Sequence, residues 1–136
     1  MMKRLGSVKA VCGLFAVLAS CFAATTGMCQ TAAPDPQSLV GLWQGTWEQP
    51  NDRQVNGQYY LTITKIEGSS VYTTFEISGR VPFKGDRVGK LAGDTITFET
   101  QFNRAVFTIN GDSMRGSVRS LTTGFPVQEI SLLRRK

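Results

Sequence analysis

Gly41-Leu42-Trp43-Gln44-Gly45-Thr46-Trp47 opens a stretch of β-strand alternation that runs on to Ile130-Ser131-Leu132-Leu133-Arg134-Arg135-Lys136. Trp43, Gly45 and Trp47 fall on one side of the opening segment and Leu42, Gln44 and Thr46 on the other, the period of two that sends successive side chains to opposite faces of a sheet. Working outward, Tyr59, Leu61 and Ile63 alternate against Tyr60, Thr62 and Thr64. After the turn Glu67-Gly68-Ser69-Ser70, the side chains of Val71, Thr73, Phe75 and Ile77 share a face, so the two runs form a hairpin. Further strands are expected near 87–92, 95–100, 102–110, 114–120 and 127–134, which makes eight with no helix between them. Consecutive strands joined by short turns hide their edges by curling on themselves. The expected fold is therefore all-β: a single up-and-down antiparallel eight-stranded barrel over residues 38–136.

Turn chemistry supports a meander. Gly93-Asp94 and Gly111-Asp112, 18 residues apart, each begin a new strand. Glycine supplies the positive φ of a tight hairpin turn, and aspartate tolerates the same region while its carboxylate bonds the turn backbone. Two other segments read as loops. Asn51-Asp52-Arg53-Gln54-Val55-Asn56-Gly57 is polar and rich in turn formers, and is expected to be a mobile crossing over one end of the barrel. Residues 78–86 hold Gly79, Pro82 and Gly85 and are expected to form a rim loop or irregular edge.

The alternation nominates Trp43, Trp47, Tyr59, Leu61, Ile63, Val71, Phe75, Ile77, Leu91, Ile96, Phe98, Phe107, Ile109, Met114, Val118, Ile130 and Leu132 as interior residues. Eight strands enclose a lumen just wide enough to be filled by side chains or to hold one small ligand. So many aromatics predict a mostly filled interior with a shallow apolar mouth. Gly45 and Gly116, inward in this reading, either leave room or let their strands bend. Trp47, Tyr59 and Arg104 are the candidate ligand-binding residues of the mouth, because each offers an apolar body and a polar tip.

The N-terminus carries an address. Lys3, Arg4 and Lys9 precede an apolar run over residues 10–19, interrupted only by Cys12 and Gly13. At about ten residues that run suits the core of a secretory signal peptide and is too short to span a bilayer. Residues 1–20 are thus expected to direct export to an extracytoplasmic location, periplasmic or secreted. Leu18-Ala19-Ser20-Cys21 resembles a bacterial lipobox, which makes Cys21 the candidate lipidation site and the Ala-, Thr- and Pro-rich residues 21–37 a flexible tether. An ordinary cut before Ala24 has small residues, Cys21 and Ala23, at its −3 and −1 positions, and Cys29 before Gln30 offers a third site. Lipid-anchored and freely secreted forms both stay open. With no cysteine in the strand region, the domain has neither disulfide nor thiol and draws its stability from packing.

Composition argues against most chemistry. The chain has no histidine, which removes histidine-based nucleophile activation, the commonest general base and nearly every zinc site. A thiol nucleophile is missing too. The acidic residues fall in turns or at outward positions, so no pair of carboxylates is expected to meet in a cleft. No catalytic residue, no metal site and no cofactor are expected, and the protein reads as non-enzymatic. Removing Lys3, Arg4 and Lys9 from the fifteen basic side chains leaves twelve against ten acidic ones, an ordinary surface with no call for nucleic acid. Arg115 and Arg119 alternate with Gly116 and Val118 as an outward face does, and Gly85-Asp86-Arg87-Val88-Gly89 lacks the spacing and lysine of a phosphate loop. Membrane contact is expected only through a lipid at Cys21.

On these residues the chain resembles the lipocalin-like (calycin-type) barrels, and among them small exported bacterial domains. Gly41-Leu42-Trp43 is similar to their Gly-x-Trp opening, and Arg134 or Arg135 stands where they place a basic residue over that tryptophan. Gly111-Asp112-Ser113-Met114-Arg115-Gly116, followed by Leu132-Leu133-Arg134, is similar to their closing strands. The resemblance implies a structural latch between Trp43 and Arg134; a guanidinium on an indole face contributes only about 0.5 to 2 kcal/mol. The expected function is a non-enzymatic extracytoplasmic lipocalin-like barrel that binds a small apolar or amphipathic molecule at one open end. The alternative is a protein-interaction or inhibitor module that presents residues 50–57 and 78–86 to an envelope protein.

Overall fold

The computed structural model describes residues 33–79, 82–122 and 124–136. The expected signal peptide, the candidate lipidation site Cys21 and the expected tether as far as residue 32 lie outside them. Among the described residues the strands are β1 Gly41–Gln49, β2 Asp52–Glu67, β3 Ser70–Ile77, β4 Phe83–Ala92, β5 Thr95–Glu99, β6 Asn103–Asn110, β7 Ser113–Ser120 and β8 Gln128–Arg134. They pair in chain order, all antiparallel, and β8 returns to β1 to close the barrel. The Gly-Asp turns sit where alternation places them. Gly93 and Gly111 both adopt φ of 61°, and the carbonyls of Asp94 and Asp112 accept from the backbone N–H groups of Ile109 and Arg134 at 2.8 Å each.

Both predicted loops are shorter than their composition suggests. Residues 52–57 belong to β2, where Gly57 pairs with Trp47 and Asn56 with Glu48. The polar character of this segment reflects an exposed ribbon: Asp52, Asn56 and Gly57 pair with Gln49, Glu48 and Trp47 across a register shift that leaves residues 53–55 without a partner on β1. Residues 83–86 likewise belong to β4, with Gly85 opposite Phe75. A glycine is accommodated in that strand because the Phe75 ring covers it at 3.5 Å from where a Cβ would stand. Upstream, the supposed tether already carries structure. A single 3-10 turn at Pro36–Leu39 is capped by Asp35, whose carboxylate accepts from the N–H of Gln37.

The interior is packed. Trp43, Val71, Ile96, Phe107 and Met114 are fully shielded, and a chain of rings, Phe83, Phe75, Tyr59, Phe107 and Phe98, runs through the barrel with neighbouring centroids 5.5 to 6.4 Å apart. Ile77, Leu91 and Val118, expected inside, are only partly buried because they lie toward strand ends. Leu39, Ile66 and Ala105 join the core instead. Leu39 is folded under the barrel by the 3-10 turn. A register shift between Ile63 and Lys65 turns Ile66 inward, as a bulge does by reversing the parity of the residues beyond it. Neither inward glycine leaves a hole. A Cβ on Gly116 would overlap the ring of its cross-strand partner Phe107, and one on Gly45 would overlap the carbonyl oxygen of Ser131.

One end of the barrel is plugged. Leu39 lies beneath Trp43, whose indole N–H donates to the Leu39 carbonyl at 3.0 Å. Arg134, the cross-strand partner of Trp43, sets its guanidinium 5.8 Å from the indole centroid and donates to the Val40 carbonyl at 3.2 Å.

Candidate functional site

In an up-and-down barrel the ends of odd strands and the starts of even strands gather at one end. Here that end is open. Ile77 closes β3, Phe83 begins β4, Asn103 begins β6, Gln128 begins β8, and Val118 lies near the end of β7. With Tyr59, Phe75 and Arg87 they surround a recess of about 260 Å³. A second recess of about 320 Å³ adjoins it, sharing Asn103, Val118 and Gln128 and extending beneath Phe102, Phe125 and Pro126. Around the rim, Phe83, Phe102, Leu121 and Phe125 stay more than half exposed, Phe125 to 75%.

The polar groups of the inner recess have distinct settings. Arg87 lies on the inward side of β4, in step with Gly85 and Gly89. Its guanidinium stands 4.5 Å from the Phe75 ring centroid, and its Nη1 donates to the Asn103 side-chain carbonyl at 3.2 Å. Asn103 is held in turn by Thr100, whose hydroxyl accepts the Asn103 backbone N–H and lies 3.2 Å from Asn103 Oδ1. The Arg87 backbone carbonyl accepts from Thr73, the one buried polar side chain among the described residues. The Arg87 side chain is thus held between the Phe75 ring and the Asn103 amide on the lining of the recess.

Tyr59 lines the same recess and is 5% exposed. Burial pushes its phenol up to about 12, with the nearby Arg87 charge pulling weakly the other way. Its ordinary value is near 10, so the folded state holds this proton where the unfolded chain has released it. Stability is whole below pH 10 and falls as pH rises from there toward 12. We expect one of the three tyrosines to ionise only near pH 12 in an ultraviolet titration of the folded protein, and Tyr59→Phe to remove that late step. Three tyrosines titrating together near pH 10 would contradict the burial of Tyr59.

Of the mouth residues expected from sequence, Tyr59 alone lines the recess. Trp47 is buried beside it, under the chain leaving β3, and its indole N–H is committed to the Ser78 carbonyl at 2.9 Å. Arg104 stands on the outer face, where Ala105, Phe107 and Ile109 turn inward, and its Nε approaches Glu99 at 3.9 Å. The residues missed were Arg87, Asn103 and Gln128. Their signal was parity: counting back by two from Leu91 puts Arg87 inside, and counting back from Phe107 puts Asn103 inside and Arg104 outside. Among the described residues no three metal-ligating side chains gather.

Fold and site together define an eight-stranded up-and-down barrel with a packed interior and two adjoining aromatic recesses at its open end. No family model matches the chain, and no curated protein and no solved structure matches it.

Proposed function

We propose that this is a non-enzymatic, extracytoplasmic barrel of lipocalin-like character that binds a small apolar or amphipathic molecule at its open end. The observation that carries this reading is the pair of adjoining recesses, walled by aromatic side chains, on which Arg87, Asn103, Gln128 and Tyr59 converge. Concave, mostly apolar sites with a few placed polar groups are the usual form of small-molecule sites. The packed interior supports a ligand seated in the mouth rather than swallowed in a lumen. The described chain enters at the plugged end, where Ala33 and Pro34 lie by the Gly93 and Gly111 turns.

Titration with octan-1-ol, followed by amide chemical shifts, tests the reading. Shifts should concentrate at Tyr59, Phe83, Asn103, Val118 and Gln128 and spare Leu39 and Trp43. No saturable shift at the open end with either octan-1-ol or sodium octanoate would end it.

A second reading is supported by the four exposed apolar side chains of the rim. Apolar groups gathered around a polar-lined recess also suit a protein partner, and the same end would then act as an interaction or inhibitor surface toward an envelope protein.

A further inference from the structure

Within the ligand-binding reading, on which this step rests, we infer that the open end selects an amphiphile with a single anionic head, best a carboxylate. The head sits against Arg87, and the apolar chain lies along the trough under Phe102, Phe125 and Pro126.

The argument starts from an unbalanced charge. Arg87 points into the barrel and is partly buried, yet among the described residues no carboxylate lies within ion-pair distance of it. The acids on its own and neighbouring strands face outward and are engaged there. Asp86 accepts from the Thr74 hydroxyl at 2.8 Å, Glu76 lies 3.9 Å from Lys84, and Glu99 faces Arg104. No partner-less side-chain nitrogen or oxygen is buried among the described residues, so the guanidinium nitrogens without a protein partner reach solvent in the recess, where an entering anion meets a cation with no carboxylate of its own. Arg87 has one neutral side-chain acceptor, Asn103, for a group with five N–H donors. The guanidinium carbon stands 4.5 Å from the Phe75 ring centroid, and the side chain belongs to the lining of the recess. A planar guanidinium fork matches a carboxylate through two parallel hydrogen bonds, which a point charge does not reproduce. The Tyr59 phenol, protonated throughout the neutral range, lines the same recess.

The second recess has the complementary character. It has no charged side chain in its lining: Phe102, Val118, Phe125 and Pro126 supply its apolar wall, and Ser120 and Thr122 are neutral. Because the two recesses share Asn103, Val118 and Gln128, one molecule spans both only with its charge at Arg87 and its chain under the rim phenylalanines.

The test compares sodium octanoate with octan-1-ol, equal in chain and different in charge, at neutral pH. Octanoate is expected to bind at least tenfold more tightly. In Arg87→Gln the two affinities should converge, and Arg87→Lys, which keeps the charge without the planar fork, should restore only part of the preference. Arg104→Gln, on the outer face, should keep the ratio of the parent protein. Equal binding of the two probes to the parent would overturn the anionic-head inference while leaving the ligand-binding reading standing. Failure of both probes to bind would remove the reading itself, and the inference with it.

Discussion

Trp43→Ala lowers the unfolding free energy by about 3–5 kcal/mol, the cost of removing a large aromatic side chain from a packed interior that cannot collapse around the gap. Trp43 is completely shielded, its indole N–H holds the Leu39 carbonyl, and Arg134 covers it from the last strand. Truncation empties the plugged end, frees the Leu39 carbonyl and leaves the Arg134 guanidinium without its ring. Domains of this size have about 5–15 kcal/mol in total, so much of the stability is lost. Chemical denaturation should show the midpoint shifted strongly down with its slope unchanged. The open end lies across the barrel, so octan-1-ol should still perturb Tyr59 and Asn103 under native conditions. An unfolding curve superimposable on that of the parent would show that Trp43 does not close the barrel.

Gly45→Ala is expected to be comparably severe, by about 3 kcal/mol or more, for an entirely different reason. Overpacking ordinarily costs about 1–3 kcal/mol because neighbouring side chains give way. At Gly45 the obstacle is the main-chain carbonyl of Ser131, on the strand that closes the ring against β1. A backbone atom in a ladder cannot rotate aside, so relief comes only by parting β1 from β8. That opens two strand edges with unpaired N–H and C=O groups, the template for edge-to-edge association. The expected result is a lowered unfolding midpoint together with concentration-dependent oligomers in size-exclusion chromatography. A monomer with parental stability would show that the seam has slack. Gly116 makes a useful contrast, since there the obstacle is the Phe107 ring and the strand pairing itself is untouched.

Particular residues show why the strands were legible and the site only in part. Trp43, Leu61, Phe75 and Phe107 declare their faces because a half-buried strand needs an apolar residue at every second position. Residues 52–57 and 83–86 hid because they are strands without a buried apolar stripe, and the partners of those that pair lie elsewhere in the chain. Ile66 hid because a bulge reverses the parity that all the other assignments used. At the mouth, Arg104 has the right chemistry and the wrong parity, while Arg87 has both but falls beside a segment whose glycines and proline read as a loop.

The all-β class, the number and order of the strands, the Gly-Asp turns and most of the buried face are all written in the chain. All of these follow from local alternation and turn chemistry, which need no knowledge of distant partners. Only the folded barrel settles which end is plugged and which is open, that the inward glycines fill against Phe107 and Ser131 rather than leave space, and that Arg87 meets Phe75 and Asn103 at the recess. Those outcomes depend on register between strands far apart in the chain, and a shift of one residue turns every side chain to the opposite face.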